Sequence, residues 1–242
     1  MTEELSRGKP RSKVATMGHA GHGKTTLTAA INHVLSMKGR AKKESKLQGA
    51  DVSRSEYESD QRVYEHVDAP TELFSSTATG AARFDGGILV VSVADGPMPQ
   101  TREHILHAKQ IGMPRIVVFL NFCDQVEDRE LIELIELEAR ELLSHCGFSG
   151  DDAPVIKGSA LKALAARSAD DPWARKVLDL VASLDQHIGL SGNRTLGAPQ
   201  VAHAPQSVKA LQVEPQQAAR SPGAVPSFTE RLRDLFGRKR QE

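Results

Sequence analysis

The sequence is poor in aromatic residues and cysteine, and it carries no net charge. Only 4% of its 242 residues are aromatic, and 31 Lys and Arg balance 31 Asp and Glu. The zero balance provides no global field that would attract nucleic acid or an anionic membrane. The two cysteines, Cys123 and Cys146, make no disulfide framework, and neither has a close His or Cys at metal-ligand spacing. With no signal peptide and no apolar run of about 18 residues, we expect a protein of the reducing cytoplasm.

A glycine-rich stretch between an apolar segment and a helical one is the most informative feature of the sequence. Residues 18–26 read GHAGHGKTT and fit the pattern G-x-x-x-x-G-K-[ST] of a phosphate-binding loop. Glycines let backbone N–H groups approach phosphates closely, and the predicted helix from Lys24 points its N-terminal dipole at the anion. Lys24 would supply charge to the outer phosphates, and Thr25 would offer a hydroxyl to Mg²⁺. The predicted nucleotide-contacting residues here are Gly18, His19, Ala20, Gly21, His22, Gly23, Lys24, Thr25 and Thr26.

Apolar runs alternate with amphipathic segments from residue 13 to residue 190. Gly87–Val93 and Ile116–Leu120 are typical of buried parallel strands. The polar stretch 38–60 predicts a mobile connection with at most a short strand near 54–58. Alternation of this kind predicts an α/β fold, a doubly wound, mostly parallel sheet with helices on both faces. The other predicted strands are 13–17, 61–67 and 154–157, and the predicted helices are 24–37, 73–83, 101–111 with Thr101 as its cap, 128–145 and 173–188.

The composition changes after residue 190. Residues 191–226 are rich in Ala, Gln, Pro and Ser, which predicts a disordered linker. Residues 227–242 combine a capping-box pattern, an apolar stripe and many Arg and Lys, which predicts a basic amphipathic helix. This helix would dock on a partner protein or an acidic surface, and a frayed solubilising tail is an equally open interpretation. The predicted domains are a flexible leader 1–12, a nucleotide-binding domain 13–190, the linker and the terminal helix.

Several stretches together resemble the translational GTPases, most of all the GTP-binding (G) domain of bacterial elongation factor Tu. The resemblance covers about residues 12–188 and implies a P-loop G-domain fold, GTP and GDP as ligands, and Mg²⁺ as the metal. The two β-barrel domains of that factor have no counterpart in the sequence, so delivery of aminoacyl-tRNA is not expected. The stretches that carry the resemblance are Gly18–Ile31, Gly96–His104, Ile116–Asp124, Leu131–Leu143 and Gly158–Leu164.

The resemblance also implies base-recognition residues. Asn121-Phe122-Cys123-Asp124 stands where the family has Asn-Lys-Cys-Asp. Asp124 would accept from the N1–H and the exocyclic amine of guanine, and Asn121 would tie this loop to the phosphate-binding loop. Phe122 replaces the lysine that lies along the base plane, and its ring could stack on guanine or point away. A further guanine-contacting element, in which a backbone N–H meets the base oxygen, matches Ser159, Ala160 and Leu161.

The catalytic pattern of the family is altered in this sequence. The family's Asp-Cys-Pro-Gly-His has become DAPTE at residues 68–72, so Asp68 would still serve the Mg²⁺ shell together with Thr25. Thr71 takes the place of the glycine that senses the γ-phosphate, and its branched Cβ restricts the peptide. Glu72 takes the place of the histidine that positions the attacking water. An ionised Glu72 would be repelled by the phosphates and cannot donate a proton.

Two further departures affect the metal and phosphate contacts. The family loop whose threonine completes Mg²⁺ coordination has become LQGADV at residues 47–52. Ser53 and Ser55 are both open as substitutes for that threonine. Gly21 replaces an aspartate of the family's phosphate-binding loop.

These observations predict a guanine-nucleotide-binding protein with slow or absent GTP hydrolysis and weak discrimination between GDP and GTP. A second hypothesis is an interaction module that mimics the G domain and binds the exchange factor Ts, the ribosome or another translation partner. The predicted helix 128–145 would provide one contact of that module. A third hypothesis is a GTPase that borrows a catalytic group from a partner.

Overall fold

The apolar runs of the sequence form the middle of one sheet. The computed structural model describes residues 8–46, 53–68 and 84–189. The strands are β1 Arg11–Met17, β2 Ala41–Lys46, β3 Ser53–Glu58, β4 Val63–Asp68, β5 Gly86–Ser92, β6 Ile116–Asn121 and β7 Val155–Lys157. They lie in the order β2-β3-β4-β1-β5-β6-β7, and the pairs from β4 to β7 are parallel, whereas β2–β3 and β3–β4 are antiparallel. This mostly parallel sheet confirms the predicted fold class.

The described helices are α1 Lys24–Met37, α2 Pro99–Gln110, α3 Arg129–His145, α4 Ala160–Leu164 and α5 Pro172–Gly189. Asp128 caps α3, because its side chain accepts from the first free N–H groups of that helix. The prediction that Thr101 caps α2 is wrong. The helix begins at Pro99, whose fixed φ suits the first helical position, and the Thr101 hydroxyl instead accepts from Met98 N–H at 3.1 Å.

Helices α1 and α5 pack together on one face of the parallel strands. Leu27 and Ile31 of α1 are fully buried, as are Leu180 and Leu184 of α5, and all belong to one hydrophobic cluster with β-strand residues. Burying each such side chain contributes roughly 1.5–3 kcal/mol relative to leaving it exposed. Strands β5 and β6 are buried along their whole length. This core fixes the carboxyl ends of the strands and the N-terminus of α1 along one edge.

The prediction of a mobile connection at 38–60 is wrong where β2 lies, whereas the short strand expected near 54–58 is present as β3. In β3, polar residues alternate with residues that face α1 and α5, and Tyr57, together with Tyr64 of β4, is fully buried on that face. The Tyr64 hydroxyl donates to Asp185 of α5 at 2.9 Å, and Ser59 Oγ donates to the same carboxylate oxygen at 2.6 Å. These bonds fasten the β3–β4 hairpin to the helix.

Several predictions concern residues outside the described ranges. They are most of the leader, the helix 73–83, Thr71 and Glu72, the linker 191–226 and the helix 227–242. The chain divides into two units, 1–193 and 194–242, and the second falls wholly outside the described ranges. None of the helices that the structure describes is both long and apolar enough to cross a membrane.

Candidate nucleotide-binding site

The phosphate loop, residues 18–26, joins β1 to α1 at the carboxyl edge of the sheet. Gly18, Gly21 and Gly23 all have positive φ, at 136°, 84° and 88°, a region that L side chains rarely adopt. A Cβ on Gly18 would overlap the carbonyl of Val90, and a Cβ on Gly23 would overlap the side-chain amide of Asn121. Two of the glycines are therefore required for space as well as for backbone conformation. Gly21 has open space around it.

Lys24 is the first residue of α1 and reaches back over the loop. Its Nζ donates to the carbonyls of Gly18 and His19, each at 3.0 Å. Burial lowers the pKa of Lys24, whereas the nearby Asp68 raises it. The next residue, Thr25, is exposed. An ammonium and a hydroxyl thus lie at a helix N-terminus, where the helix dipole and the loop N–H groups favour an anion.

Two side chains of α2 hold the phosphate loop, and the sequence analysis did not single them out. His104 Nδ1 accepts from Gly18 N–H at 3.1 Å, and Gln100 Oε1 accepts from Ala20 N–H at 3.3 Å. These bonds fix two backbone amides at the start of the loop. Both side chains belong to the stretch 96–104 that resembles the family, which is the signal that could have found them.

His22 supports the loop from the interior. It is 2% exposed, its Nδ1 accepts from Ser92 N–H at 3.3 Å, and its ring meets that of His19 edge-on with centroids 5.1 Å apart. Burial, followed by the charge of His19, lowers the pKa of His22. A buried neutral ring of this kind suits a role in shaping the loop. Thr26 is half-buried on the first turn of α1.

Asn121, the last residue of β6, braces the phosphate loop against the segment that follows β7. It is 1% exposed. Its Nδ2 donates to the His22 carbonyl at 2.9 Å, and its Oδ1 accepts from Ala160 N–H at 2.9 Å. Both the donor and the acceptor of the Asn121 amide are therefore hydrogen-bonded within the protein. The Ala160 N–H donates to Asn121, so it is not free to donate to a base oxygen.

Asp124, three residues after Asn121 in the base loop, has a buried acceptor oxygen. Its Oδ1 is buried and accepts no hydrogen bond from the described residues. Leaving such an oxygen unpaired costs about 1–3 kcal/mol or more, so a ligand that donates a hydrogen bond to it would bind favourably. The Watson–Crick edge of guanine offers adjacent N–H donors, whereas that of adenine offers no such pair. The base loop, residues 121–124, therefore fits guanine.

Phe122 is the one residue other than glycine that has a positive φ, 65°, in the ranges that the structure describes. This left-handed conformation costs roughly 1–2 kcal/mol for an L residue with a side chain. The tip of its ring, Cζ, lies 3.6 Å from the position that a Cβ on Gly23 would take. The ring therefore borders the phosphate loop.

The element after β7 lies beside the base loop. Ser159 is 1% exposed and caps α4, because its Oγ accepts from Lys162 N–H at 3.3 Å. Cys123 N–H donates to the Gly158 carbonyl at 3.1 Å, which joins the two loops. Leu161, at 56%, has an exposed side chain. The structure thus brings together the three elements that the sequence analysis assigned to nucleotide binding.

Asp68 lies at the end of β4 near the same edge. It is 7% exposed, and its Oδ1 accepts from Thr16 Oγ1 at 2.8 Å. Carboxylate and hydroxyl oxygens are the ligands that Mg²⁺ prefers, and at nucleotide sites the ion uses one or two protein groups together with phosphate oxygens and water. Asp68 and Thr25 fit such an ion. In residues 8–46, 53–68 and 84–189, no three His, Cys, Asp or Glu side chains group closely enough to hold a metal alone.

The glycine loop after β1, the lysine that begins α1 and the base loop after β6 define a P-loop nucleotide-binding domain. Residues 9–189 match the family model of the elongation factor Tu GTP binding domain. Because this match covers most of the chain, the protein belongs to that family. It is a G domain of the translational GTPase type, a domain that binds guanine nucleotide.

Proposed function

We propose that this protein binds both GDP and GTP through the phosphate loop and the base loop and hydrolyses GTP slowly or not at all. The observation that carries the proposal is the buried Oδ1 of Asp124, which accepts no hydrogen bond in residues 8–46, 53–68 and 84–189 and belongs to the same loop as Asn121, the brace of the phosphate loop. Family membership supports the choice of guanine nucleotide and a role connected with translation.

The base loop would select guanine through the carboxylate of Asp124, which accepts from the N1–H and the exocyclic amine. The ring of Phe122 would provide an apolar surface beside the base, in the place of the family's lysine. Base–aromatic stacking is worth roughly 1–3 kcal/mol, so the loss of a charged side chain need not abolish affinity. The base oxygen would have to meet an N–H other than that of Ala160, which Asn121 Oδ1 already accepts.

The phosphates would lie at the N-terminus of α1. The Lys24 ammonium, which donates to the carbonyls of Gly18 and His19, would donate to phosphate oxygens instead. Thr25 and Asp68 would contact Mg²⁺ or its waters. When bound, Mg²⁺ supplies charge that neutralises the phosphate oxygens. The glycines and the brace of Asn121 hold the loop amides in place before a ligand arrives, which favours binding because little ordering remains to be done.

Slow hydrolysis follows from residues 71 and 72, which lie outside the described ranges. In phosphoryl transfer, catalysis depends mostly on positioning and on electrostatic stabilisation. Thr71 and Glu72 replace the residues that the family uses for sensing and for positioning water. Without them, hydrolysis should be at or below the intrinsic rate of small GTPases, about 10⁻⁴ to 10⁻³ s⁻¹. The same loss predicts similar affinities for GDP and GTP, because a ligand shifts only states that it binds differently.

A titration with fluorescent GDP, GTP and ATP in Mg²⁺ tests the proposal. We expect saturable binding of both guanine nucleotides, with dissociation constants within about tenfold of each other, and ATP binding at least ~100-fold weaker. Nucleotide content measured after purification gives an independent check. Equal affinity for ATP, or no saturable binding of GDP, would reject the proposal.

One observation favours a second candidate function, an interaction module that binds the exchange factor Ts, the ribosome or another translation partner. Leu137, at 50%, has an exposed side chain on α3, and Leu134, one turn earlier on the same face, is only half-buried. Apolar side chains left in water on a helix are typical of a contact surface when they cluster.

Direct binding measurements with purified factor Ts and with ribosomes test this second function. A Leu137→Glu variant should lose at least tenfold in affinity, since it would place a charge in the contact. An Ala165→Glu variant, which changes an exposed position after α4, should bind normally. If neither partner binds the wild-type chain, or if both variants bind equally well, the surface is not a docking site for them.

A further inference from the structure

A row of oxygen-bearing side chains crosses the sheet beside the phosphate loop. In the antiparallel pair, Ser53 of β3 lies opposite Asp68 of β4, and in the parallel pair Asp68 is the partner of Thr16 of β1. Side chains that pair across strands lie on the same face of a sheet. The bond from Thr16 Oγ1 to Asp68 Oδ1 shows this for two members of the row. Ser53 therefore flanks Asp68 on the side away from Thr16.

The row lies on the face of the sheet that α1 covers. Val14, two residues before Thr16 on the same face of β1, belongs to the core that α1 and α5 form. The charge of Asp68 acts on Lys24, the first residue of α1. Thr16 is one residue from the end of β1, which the phosphate loop and α1 follow, so the row lies close to the N-terminal turn of α1.

The structure distinguishes the two serines that the sequence analysis left open. Ser55 lies two residues deeper in β3, opposite the fully buried His66, and it is 3% exposed. Its hydroxyl is buried and has no hydrogen-bond partner among the described residues. Ser53 is half-exposed at the open end of β3, next to the carboxylate that would serve the metal.

We infer that Ser53 is a positioning residue for Mg²⁺, acting through its hydroxyl on a water of the ion beside Asp68. Mg²⁺ keeps several of its waters when it binds at nucleotide sites, and hydroxyl groups near the carboxylate ligand hold such waters in place. The inference rests on the proposed function, because Mg²⁺ would be held jointly by the protein and the nucleotide. Ser53 would thereby contribute to holding Mg²⁺, for which the altered loop 47–52 lacks the family's threonine.

Release of fluorescent GDP, followed over a range of free Mg²⁺ concentrations, tests the inference. The quantity measured is the Mg²⁺ concentration that slows release half-maximally. We expect Ser53→Ala to raise this concentration at least tenfold, since removing an outer-sphere partner typically costs about 10–100-fold in metal affinity. Release in excess EDTA should be the same for the variant and the wild type, which a merely structural role for Ser53 would not predict.

Two further variants provide controls. Ser53→Thr keeps the hydroxyl and should retain the wild-type dependence on Mg²⁺. Ser55→Ala makes the same chemical change two residues along the strand and should also behave as wild type. A Ser53→Ala variant within twofold of wild type, or a Ser55→Ala variant that shifts as far as Ser53→Ala, would overturn the assignment. If the wild type fails to bind GDP even in saturating Mg²⁺, the proposed function itself is wrong, and the two failures are thereby distinguished.

Discussion

The nucleotide cradle and the metal edge of this protein differ in how they are held. The cradle, formed by the phosphate loop and the base loop, is fixed by Gly18 and Gly23, which leave no room for a Cβ, and by the two hydrogen bonds of the Asn121 side chain. The metal edge is formed by Asp68 and Ser53, which lie on the antiparallel side of the sheet next to residues 47–52 and 69–72. Against the family pattern, the cradle differs at Gly21 and Phe122, whereas the segments next to Asp68 and Ser53 in the sequence, 47–52 and 69–72, differ at most of their positions.

This difference indicates which property each region controls. A cradle whose amides are fixed in advance favours affinity for the nucleotide as a whole. Response to the terminal phosphate needs groups that bind GTP and GDP differently, and these are the groups that the sequence has changed. Binding and hydrolysis should therefore respond to different mutations.

The largest effect should come from removing the brace. Asn121→Ala would leave the His22 carbonyl and the Ala160 N–H unpaired in the interior, at about 1–3 kcal/mol each. We expect the free energy of unfolding to fall by about 2–5 kcal/mol, measured by urea denaturation. Asn32→Ala is the matched control, because Asn32 Nδ2 is buried without a partner among the described residues. Equal losses for the two variants would contradict the importance of the brace.

The β3–β4 hairpin contains His66, whose titration should make the stability of the protein depend on pH. Burial lowers the pKa of His66 to about 4, despite the opposing charge of Asp68. As the pH falls below 6.5, His66 becomes protonated in the unfolded chain but stays neutral in the folded protein. The stability that the neutral ring contributes is therefore complete above pH 6.5 and is lost as the pH falls towards 4. The full effect is about 3 kcal/mol.

Urea denaturation of the wild type and of His66→Gln between pH 7.5 and pH 4.5 measures this effect. The wild type should lose stability more steeply, and the difference in slope isolates His66 from the other titrating groups. Parallel slopes would show that the pKa of His66 in the folded protein is close to its value in the unfolded chain.

Removing the phosphate-loop cation should affect affinity. Lys24→Ala would lose charged hydrogen bonds worth about 1.5–3 kcal/mol, which corresponds to a fall of roughly 10–150-fold in affinity for GDP and GTP. Fluorescence titration measures it. Lys38→Ala, an exposed lysine just after the other end of α1, serves as the control and should bind normally. Normal binding by both variants would show that the phosphates do not contact Lys24.

The smallest expected effect is on the selectivity for guanine. Asp124→Asn exchanges one acceptor oxygen for a donor, and we expect GDP to bind about 5–150-fold more weakly, from a loss of about 1–3 kcal/mol. Xanthosine diphosphate should gain, because it carries a carbonyl where guanine carries an amine. Asp128→Asn, at the cap of α3, makes the same change where Asn serves equally well, and it should leave binding intact. An unchanged preference in Asp124→Asn would exclude the base loop from guanine recognition.

The parallel half of the fold was predictable from sequence, because its signals are strong and local. Continuous apolar runs gave β5 and β6, and α1 begins at the predicted residue, Lys24. The predicted phosphate loop lies between β1 and α1, and its glycines have the positive φ that the motif requires.

The antiparallel half was predicted only in part: the strands expected near 54–58 and at 61–67 are present as β3 and β4, whereas β2 was missed. Its signals are weak because the contacts that stabilise this half are long-range and polar. Strand β3 reads SRSEYE, a pattern without an apolar run, and its buried face depends on packing against helices far along the chain. The bond from Tyr64 to Asp185 joins residues 121 positions apart. The supports of the phosphate loop, Gln100 and His104, lie on α2, about 80 residues further along the chain, so only the family resemblance of the stretch 96–104 could have indicated them.

Decay of bound GTP in a single turnover tests the central claim most directly. The protein is loaded with GTP and Mg²⁺, freed of unbound nucleotide and sampled for GDP over hours, beside a Glu72→His variant. The account predicts that GTP stays bound and decays at about 10⁻³ s⁻¹ or slower, and that the variant decays faster. A wild-type rate of about 1 s⁻¹ or more, in the range of ordinary enzymes, or a failure to retain GTP at all, would contradict it.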